Sequence, residues 1–129
     1  DTCDEKYHKR IHWQSNKLAY LAGLIDGEGY LKIEKSGTIR LIIGMGSENT
    51  IKWIYENFGG NISVQKQPSS KPFYVWRMNQ GKELFWLFIL VIPFLVNKKA
   101  ILVNALIKLI KKFEKLEHTL YPYNWENLE

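Results

Sequence analysis

Cysteine is nearly absent from the sequence, and so are long apolar runs. The single cysteine, Cys3, excludes an intramolecular disulfide and a cysteine-based zinc site, so we expect a reducing, intracellular location. Residues 1–17 are polar and charged, and we expect no secretory signal there. The longest apolar run, residues 84–96, has thirteen residues and contains Pro93. Because a bilayer requires about 20 apolar residues, this run predicts two buried helical pieces and no membrane partner.

Acidic residues are also scarce relative to basic ones. There are 13 Asp and Glu against 18 Lys and Arg, which gives a net charge of +5. This surplus is compatible with a polyanionic partner, although many proteins without such a partner carry as much. Apolar residues make up 46% of the chain and charged residues 24%, as in folded globular proteins. The 129 residues suit one core, so we expect an N-terminal arm over 1–14 and a single domain over 15–129.

The period of the apolar residues changes along the chain and predicts the order α-β-β-α-β-β-α-α. Spacings of three and four predict a helix that Ser15 or Asn16 caps and that Gly27 and Gly29 end. Strict alternation predicts strands. The remaining elements are strands at 30–35 and 38–45, a helix from 49 to 58, strands at 61–67 and 73–79, and helices at 82–91 and 98–117. Segregated strands and helices predict an α+β fold, with helices covering one face of an antiparallel sheet.

The most informative stretch is Leu21-Ala22-Gly23-Leu24-Ile25-Asp26-Gly27-Glu28-Gly29. Gly23 and Gly27 are four residues apart and therefore share one side of the helix. Glycine inside a helix costs about 0.5–1 kcal/mol relative to alanine, which close approach of another backbone would offset. No second such helix occurs in the chain, so that backbone would belong to another copy. Alternatively, Gly27 is simply a C-terminal cap and Gly23 packs in the core.

Glu28 has an unfavourable position for a carboxylate, at the negative end of the helix dipole. The cost is a few tenths to about 1 kcal/mol, and a bound cation would reverse it. If two helices cross at their glycines, two Glu28 carboxylates lie close together and favour a divalent metal. Asp26 is an alternative ligand, but it points to a different side of the helix.

Residues 21–29 closely resemble the nine-residue signature of the LAGLIDADG homing endonucleases. The order of elements after the motif is also similar to that family, as is the stretch Pro93-Phe94-Leu95 followed by lysines. The resemblance implies the family fold, a saddle-shaped antiparallel four-stranded sheet with helices on one face. Family members with one motif act as homodimers, which implies a near-palindromic double-stranded DNA site. The implied dimer interface consists of Leu21, Gly23, Leu24 and Gly27.

The resemblance also implies a reaction, the hydrolysis of one phosphodiester in each strand to leave short 3′ overhangs. Glu28 and the Gly27 carbonyl would bind Mg²⁺, which Mn²⁺ can replace; the family more often has aspartate at the position of Glu28. Lys98 or Lys99, with Lys98 favoured, would stabilise negative charge at the phosphate. Ser47 lies roughly where many members have a residue that orders water. No small-molecule substrate is expected.

Alternation also defines the face of the sheet that points away from the helices. We expect the other side, including Ile33 and Val64, to face the helices. The open face fits the major groove, although a solvent-facing sheet is usually polar too. The DNA-binding residues predicted on this open face are Tyr30, Lys32, Glu34, Ser36, Thr38, Arg40, Ile42, Gly44, Ser63, Gln65, Gln67, Phe73, Val75 and Arg77.

Two other functions are compatible with the same fold. One is an intron RNA maturase, and the other is a DNA-binding regulator that no longer cuts. Proteins that have lost catalysis often replace the acidic residue of the motif with a neutral one. Glu28 is retained here together with a following lysine, and this favours cutting.

Overall fold

The four helices and four strands in the described part of the chain follow the predicted order. The computed structural model describes residues 13–66, residue 68, residues 71–79 and residues 81–120, the last five by their backbone alone. Most of the predicted arm and the tail after residue 120 lie outside the described residues. The elements are α1 (Ser15–Glu28), β1 (Gly29–Ile33), β2 (Ile39–Met45), α2 (Glu48–Phe58), β3 (Asn61–Gln65), β4 (Phe73–Met78), α3 (Gly81–Val91), a 3₁₀ turn (Ile92–Phe94) and α4 (Lys99–Leu120).

The strands form one antiparallel sheet in the order β1-β2-β4-β3. This confirms the predicted α+β class. Alternation places Leu41 and Ile43 of β2 and Trp76 of β4 on the face that the helices cover, where each is fully buried. The opposite face of the sheet carries no helix in the described part of the chain, and it is the face predicted to read DNA.

Two residues predicted to face the helices lie on that side of the sheet but remain exposed. Ile33 and Val64 each keep 47% of their surface accessible. They lie on β1 and β3, which are the two edges of the sheet. Both lie on the predicted side of the sheet, paired with Ile39 and Tyr74, but alternation does not tell how far the covering helices extend.

Helix α1 supplies the centre of the core. Leu18, Leu21, Ala22 and Ile25 follow helical spacing and are all buried, against β2, α3 and the 3₁₀ turn. The N-cap is Gln14, one residue before the predicted cap, and its side chain makes no capping hydrogen bond. None of the helices that the structure describes is long and apolar enough to cross a membrane.

A pair of glycines ends α2 and leads into β3. Gly59 and Gly60 have φ of 82° and 91°, the left-handed region that L side chains rarely adopt. A Cβ on Gly60 would also lie 2.6 Å from the carbonyl oxygen of Arg77. The indole nitrogen of Trp76 donates to the Gly59 carbonyl at 2.7 Å. This turn therefore joins α2 to the middle of the sheet.

Candidate functional site: an acidic helix end beside an open sheet face

Glu28 is the last residue of α1 and is exposed. The next residue, Gly29, begins β1 directly, with no loop between helix and strand. A Cβ on Gly29 would lie 2.9 Å from both the Cα and the carbonyl oxygen of Ile25, so this abrupt exit favours glycine. The sharp exit places the Glu28 carboxylate at one end of the open sheet face, where it lines a groove of about 260 Å³.

Asp26 fastens the end of α1 to the start of α4. Its carboxylate accepts hydrogen bonds from the main-chain N–H groups of Val96 at 2.8 Å, Asn97 at 3.1 Å and Lys98 at 2.9 Å. Partial burial by itself raises the pKa of Asp26, but these three donors and the Lys98 charge outweigh it and lower that pKa below its usual value. All three donors precede α4, so Asp26 holds the turn that leads into this helix.

The same junction brings Lys98 to the end of α1. The Lys98 ammonium donates to the carbonyl of Ile25 at 2.9 Å and also to the carbonyl of Gly29. Gly29 follows Glu28 in the chain, so the Lys98 ammonium contacts the main chain of the residue next to Glu28. Lys99 begins α4 and is exposed. Of the two predicted lysines, the structure therefore brings only Lys98 to the motif.

The Asp26 contacts predict a pH-dependent loss of stability in Asp26→Asn. At pH 7 we expect the free energy of unfolding to fall by about 1–2 kcal/mol, because three N–H groups lose a charged acceptor. A carboxylate with a lowered folded-state pKa stabilises the fold above its unfolded pKa of about 3.9, and that contribution disappears as pH falls through the folded pKa.

The difference between wild type and Asp26→Asn should therefore shrink below about pH 4. Urea unfolding at pH 7 and pH 3 measures it, with Glu56→Gln on an exposed face of α2 as the matched control. An equal difference at both pH values would show that the Asp26 charge does not hold the junction.

The two motif glycines lie on the outer surface of α1. Gly23 and Gly27 are exposed, and a Cβ added to either would have no neighbouring atom within 4 Å. Gly23 is therefore not a core packing position. Leu21 is fully buried in the protomer core, so its prediction as a dimer-interface residue was wrong: helical spacing turns it towards β2. Leu24 is half-buried against the same core.

Ser47 caps a helix in the structure. It is the N-cap of α2, and its hydroxyl accepts from the Thr50 N–H at 3.3 Å and contacts the Thr50 hydroxyl at 2.8 Å. It also does not line the groove that contains Glu28. Its position gives no support to a water-ordering role.

The open sheet face consists of rows of side chains that cross the strands. The row nearest Glu28 contains Gly44, Val75 and Ser63, and beyond it lie Phe73 and Gln65 at the same end of the sheet. The middle row contains Tyr30, Ile42, Arg77 and Asn61, and the far end carries Lys32 and Arg40.

Not every residue predicted on this face is available to a partner. Ile42 and Val75 lie on it, but each is only 4% exposed, so they form its floor. Glu34, Ser36 and Thr38 lie in the β1–β2 turn, because β1 ends at Ile33. Gln67 lies outside the described residues.

Ion pairs and hydrogen bonds order the basic residues of this face. Arg40 pairs with Glu34 at 3.2 Å, and Arg77 donates to the Ser63 hydroxyl at 2.8 Å. Sequence reasoning missed Asn61 and Asn79. Together with these two arginines they line a second groove, farther from Glu28 on the same face. Both are in phase with the polar residues of their strands, so the alternation that identified Ser63 and Arg77 would have found them.

The donor set fits a hard divalent cation only if a second molecule contributes to it. Within the described residues no three His, Cys, Asp or Glu side chains cluster. Glu28 offers one exposed carboxylate per chain, and Mg²⁺ sites commonly combine one or two carboxylates with substrate phosphates. The Gly27 carbonyl is among the last four of α1, which lack partners within a helix.

Solved structures with a similar fold are homing endonucleases of the LAGLIDADG type. I-CvuI in complex with its target in the presence of calcium has a TM-score of 0.58 and 18% identity, over 81% of this chain and 69% of that one. The LAGLIDADG meganuclease I-AabMI bound to uncleaved DNA has a TM-score of 0.57 and 24% identity, over 77% of this chain and 39% of that one. The archaeal intron-encoded enzyme I-Vdi141I complexed with DNA has a TM-score of 0.53 and 21% identity, over 70% and 64% of the respective chains.

These comparisons establish the fold. The chain has the LAGLIDADG homing endonuclease fold, as its nine-residue motif predicted. No protein-family model matches the sequence, and no curated protein sequence is significantly similar to it.

Proposed function

We propose that this protein is a site-specific DNA endonuclease that acts as a homodimer. It hydrolyses one phosphodiester in each strand of a near-palindromic site, requires Mg²⁺ or Mn²⁺, and leaves short 3′ overhangs. The observation that carries this proposal is the position of Glu28. This exposed residue ends α1 and lines a groove on the basic sheet face. The DNA bound by the structurally similar endonucleases supports it further.

The sheet face supplies the groups that DNA binding requires. Lys32, Arg40 and Arg77 line one groove together with Asn61 and Asn79. In the major groove, arginine and lysine pair with guanine, and asparagine pairs with adenine. A twisted antiparallel sheet fits the width of that groove. In this proposal the face selects the DNA sequence, and its end at Glu28 lies over the bonds to be cut.

The junction of α1 and α4 supplies the groups that the reaction requires. Glu28 and the Gly27 carbonyl would hold the cation, which would supply polarisation of the phosphate and activation of an attacking water. Lys98 offers a positive charge within one residue of that position and stabilises the negative charge that develops on the phosphate. Asp26 fixes the turn from which the Lys98 side chain extends.

The second copy completes the site. One chain contributes one carboxylate, whereas two helices that cross at Gly23 and Gly27 bring two Glu28 residues together. Both glycines are exposed with open space above them, as a close helix crossing requires. A dimer also presents two identical sheet faces, which explains a near-palindromic target.

Gly23→Leu should convert the dimer to a monomer. Gly23 is exposed and a Cβ added there meets no neighbouring atom within 4 Å, so we expect the fold to tolerate leucine, which favours a helix over glycine by about 0.8 kcal/mol. Two such side chains at a close helix crossing would hold the backbones apart. Sedimentation velocity measures the change, and Asn104→Leu on the exposed face of α4 is the matched control. A wild type that is monomeric both free and on cleaved DNA would disprove the homodimer.

The cleavage of pooled DNA tests the proposed function directly. The wild-type protein is incubated with a random-sequence duplex library in Mg²⁺ or in Ca²⁺, and the ends produced are sequenced. Recurrent near-palindromic ends with short 3′ overhangs in Mg²⁺ alone are expected. Tight binding of selected DNA without cutting in either metal would indicate a regulator. If the protein neither cuts DNA nor binds it selectively, that result would favour an intron RNA partner.

A further inference from the structure

We infer that the part of the sheet face nearest Glu28 recognises the 5-methyl group of thymine. The apolar residues of this part, together with Ile42 of the middle row, are called the apolar step: Ile42, Gly44, Phe73 and Val75. The inference rests on the proposed function, because it concerns DNA bound on the same face. The inference specifies the base that the bound DNA carries next to the cleaved bond.

The apolar step is next to the acidic position. Gly29 of β1 pairs with Ile43 of β2. Because the strands are antiparallel, Glu28, which precedes Gly29, is level with Gly44, which follows Ile43. Gly44 pairs with Val75 of β4. Glu28 and all four residues of the step line one groove. A base pair over the step is therefore close to the position of the metal in the proposed reaction.

Phe73 and Gly44 form the exposed part of the step. A Cβ on Gly44 would lie 2.6 Å from Cε1 of Phe73 and 2.9 Å from its Cζ, so the ring lies across β2 in space that only glycine leaves free. The Phe73 side chain is 43% exposed, whereas Ile42 and Val75 beneath it are each 4% exposed. A DNA base that approaches this end of the sheet meets an aromatic ring on a buried aliphatic floor.

The rest of the face has different chemistry. The second groove has lysine, arginine and asparagine along its walls, namely Lys32, Arg40, Asn61, Arg77 and Asn79. Lys32 pairs with Arg40, which is four residues from Gly44 along β2, a distance of about 13 Å. At 3.4 Å per base pair this is about four base pairs. The far end of the face therefore offers mainly charged and amide groups, whereas the end beside the proposed cut adds the exposed Phe73 ring to Gln65 and Arg77.

Thymine is the base that suits an apolar surface in the major groove. Its 5-methyl group is the one apolar substituent among the four bases, whereas cytosine presents an amino donor and guanine presents two acceptors. Those polar groups would lose their hydration against Phe73 without gaining a partner, and this costs free energy. The step therefore favours thymine and disfavours guanine and cytosine at the same position.

Replacing thymine with uracil removes only the methyl group and tests the inference. Two random-sequence libraries are made, one with thymidine and one with deoxyuridine in its place, and the ends cut in Mg²⁺ are sequenced. We expect thymine enrichment within the base pairs nearest the cut in the first library. In the second library that enrichment should fall by about fourfold for each methyl group contacted, while preferences farther out remain.

Two variants separate the step from general DNA binding. Gly44→Ala would displace the Phe73 ring, and Phe73→Ser would remove it; both should equalise cutting of matched thymine and uracil sites. Lys32→Gln is the control, because it should weaken cutting of both sites equally and leave their ratio unchanged. Cutting of both libraries with the same preferences beside the cut would overturn the inference and leave the proposed function intact. No cutting of either library would overturn both.

Discussion

Glu28→Gln should abolish cleavage while leaving DNA binding intact. The amide keeps the size of the side chain and removes its charge, and a homodimer loses both carboxylates at once. We expect the cleavage rate at saturating protein to fall by about 1000-fold or more. Affinity for the selected DNA, measured in Ca²⁺, should be equal or higher, because two negative charges no longer face the phosphates.

Two controls make this result specific. Glu56→Gln removes a charge from an exposed position on α2 and should leave the cleavage rate unchanged. Glu28→Asp keeps the charge on a shorter side chain and should retain much more activity than Glu28→Gln. If the Glu28→Gln variant cuts DNA at a rate within tenfold of the wild type, the Glu28 carboxylate does not take part in the cleavage reaction.

The second large effect is expected for Lys98→Met, compared with Lys99→Met. Methionine keeps the apolar part of the lysine chain and removes the ammonium that contacts the Ile25 and Gly29 carbonyls. We expect the cleavage rate to fall by about 100-fold for Lys98→Met. Lys99 is exposed at the start of α4, so Lys99→Met should change it by less than about threefold.

Loss of those carbonyl contacts also destabilises the α1–α4 junction, so stability is measured on the same samples. Urea unfolding and DNA binding in Ca²⁺ show whether Lys98→Met is folded and bound under the assay conditions. A loss of rate at saturating DNA in a folded variant supports a role in the reaction. Equal losses for both lysine variants, or a loss that added protein restores, would contradict it.

Most of the fold could be predicted because periodicity and glycine positions report local structure directly. The alternating residues of β2 and β4 identified the buried face of the sheet, and Gly59-Gly60 identified the end of α2. The errors lie where tertiary structure decides. Ile33 and Val64 alternate correctly, yet each stays 47% exposed on an edge strand. Leu21 belongs to the motif, but helical spacing places it in the core rather than at an interface.

The candidate site was predictable only in part. The motif identified Glu28, and its glycines identified an exposed face of α1. The partners of Asp26 are about 70 residues further along the chain, and no local pattern reports such a contact. The same contact distinguishes Lys98 from Lys99, which are neighbours with equal charge in the sequence. For Ser47 the structure shows only the capping of α2, a contact that the helix start at 49 predicted in the sequence did not include.

The direct passage from α1 into β1 at Glu28–Gly29 has a consequence for how such a protein changes its target. The side chains proposed to read DNA are on strands, whereas the acidic residue, the lysine beside it and Asp26 are on helix ends and in the turn before α4. Substitutions at positions such as Lys32 or Asn61 can therefore alter the preferred site without disturbing the residues proposed to cut it. This separation would let a drifting lineage acquire new targets stepwise, and it marks the far end of the sheet as the place to begin laboratory redesign.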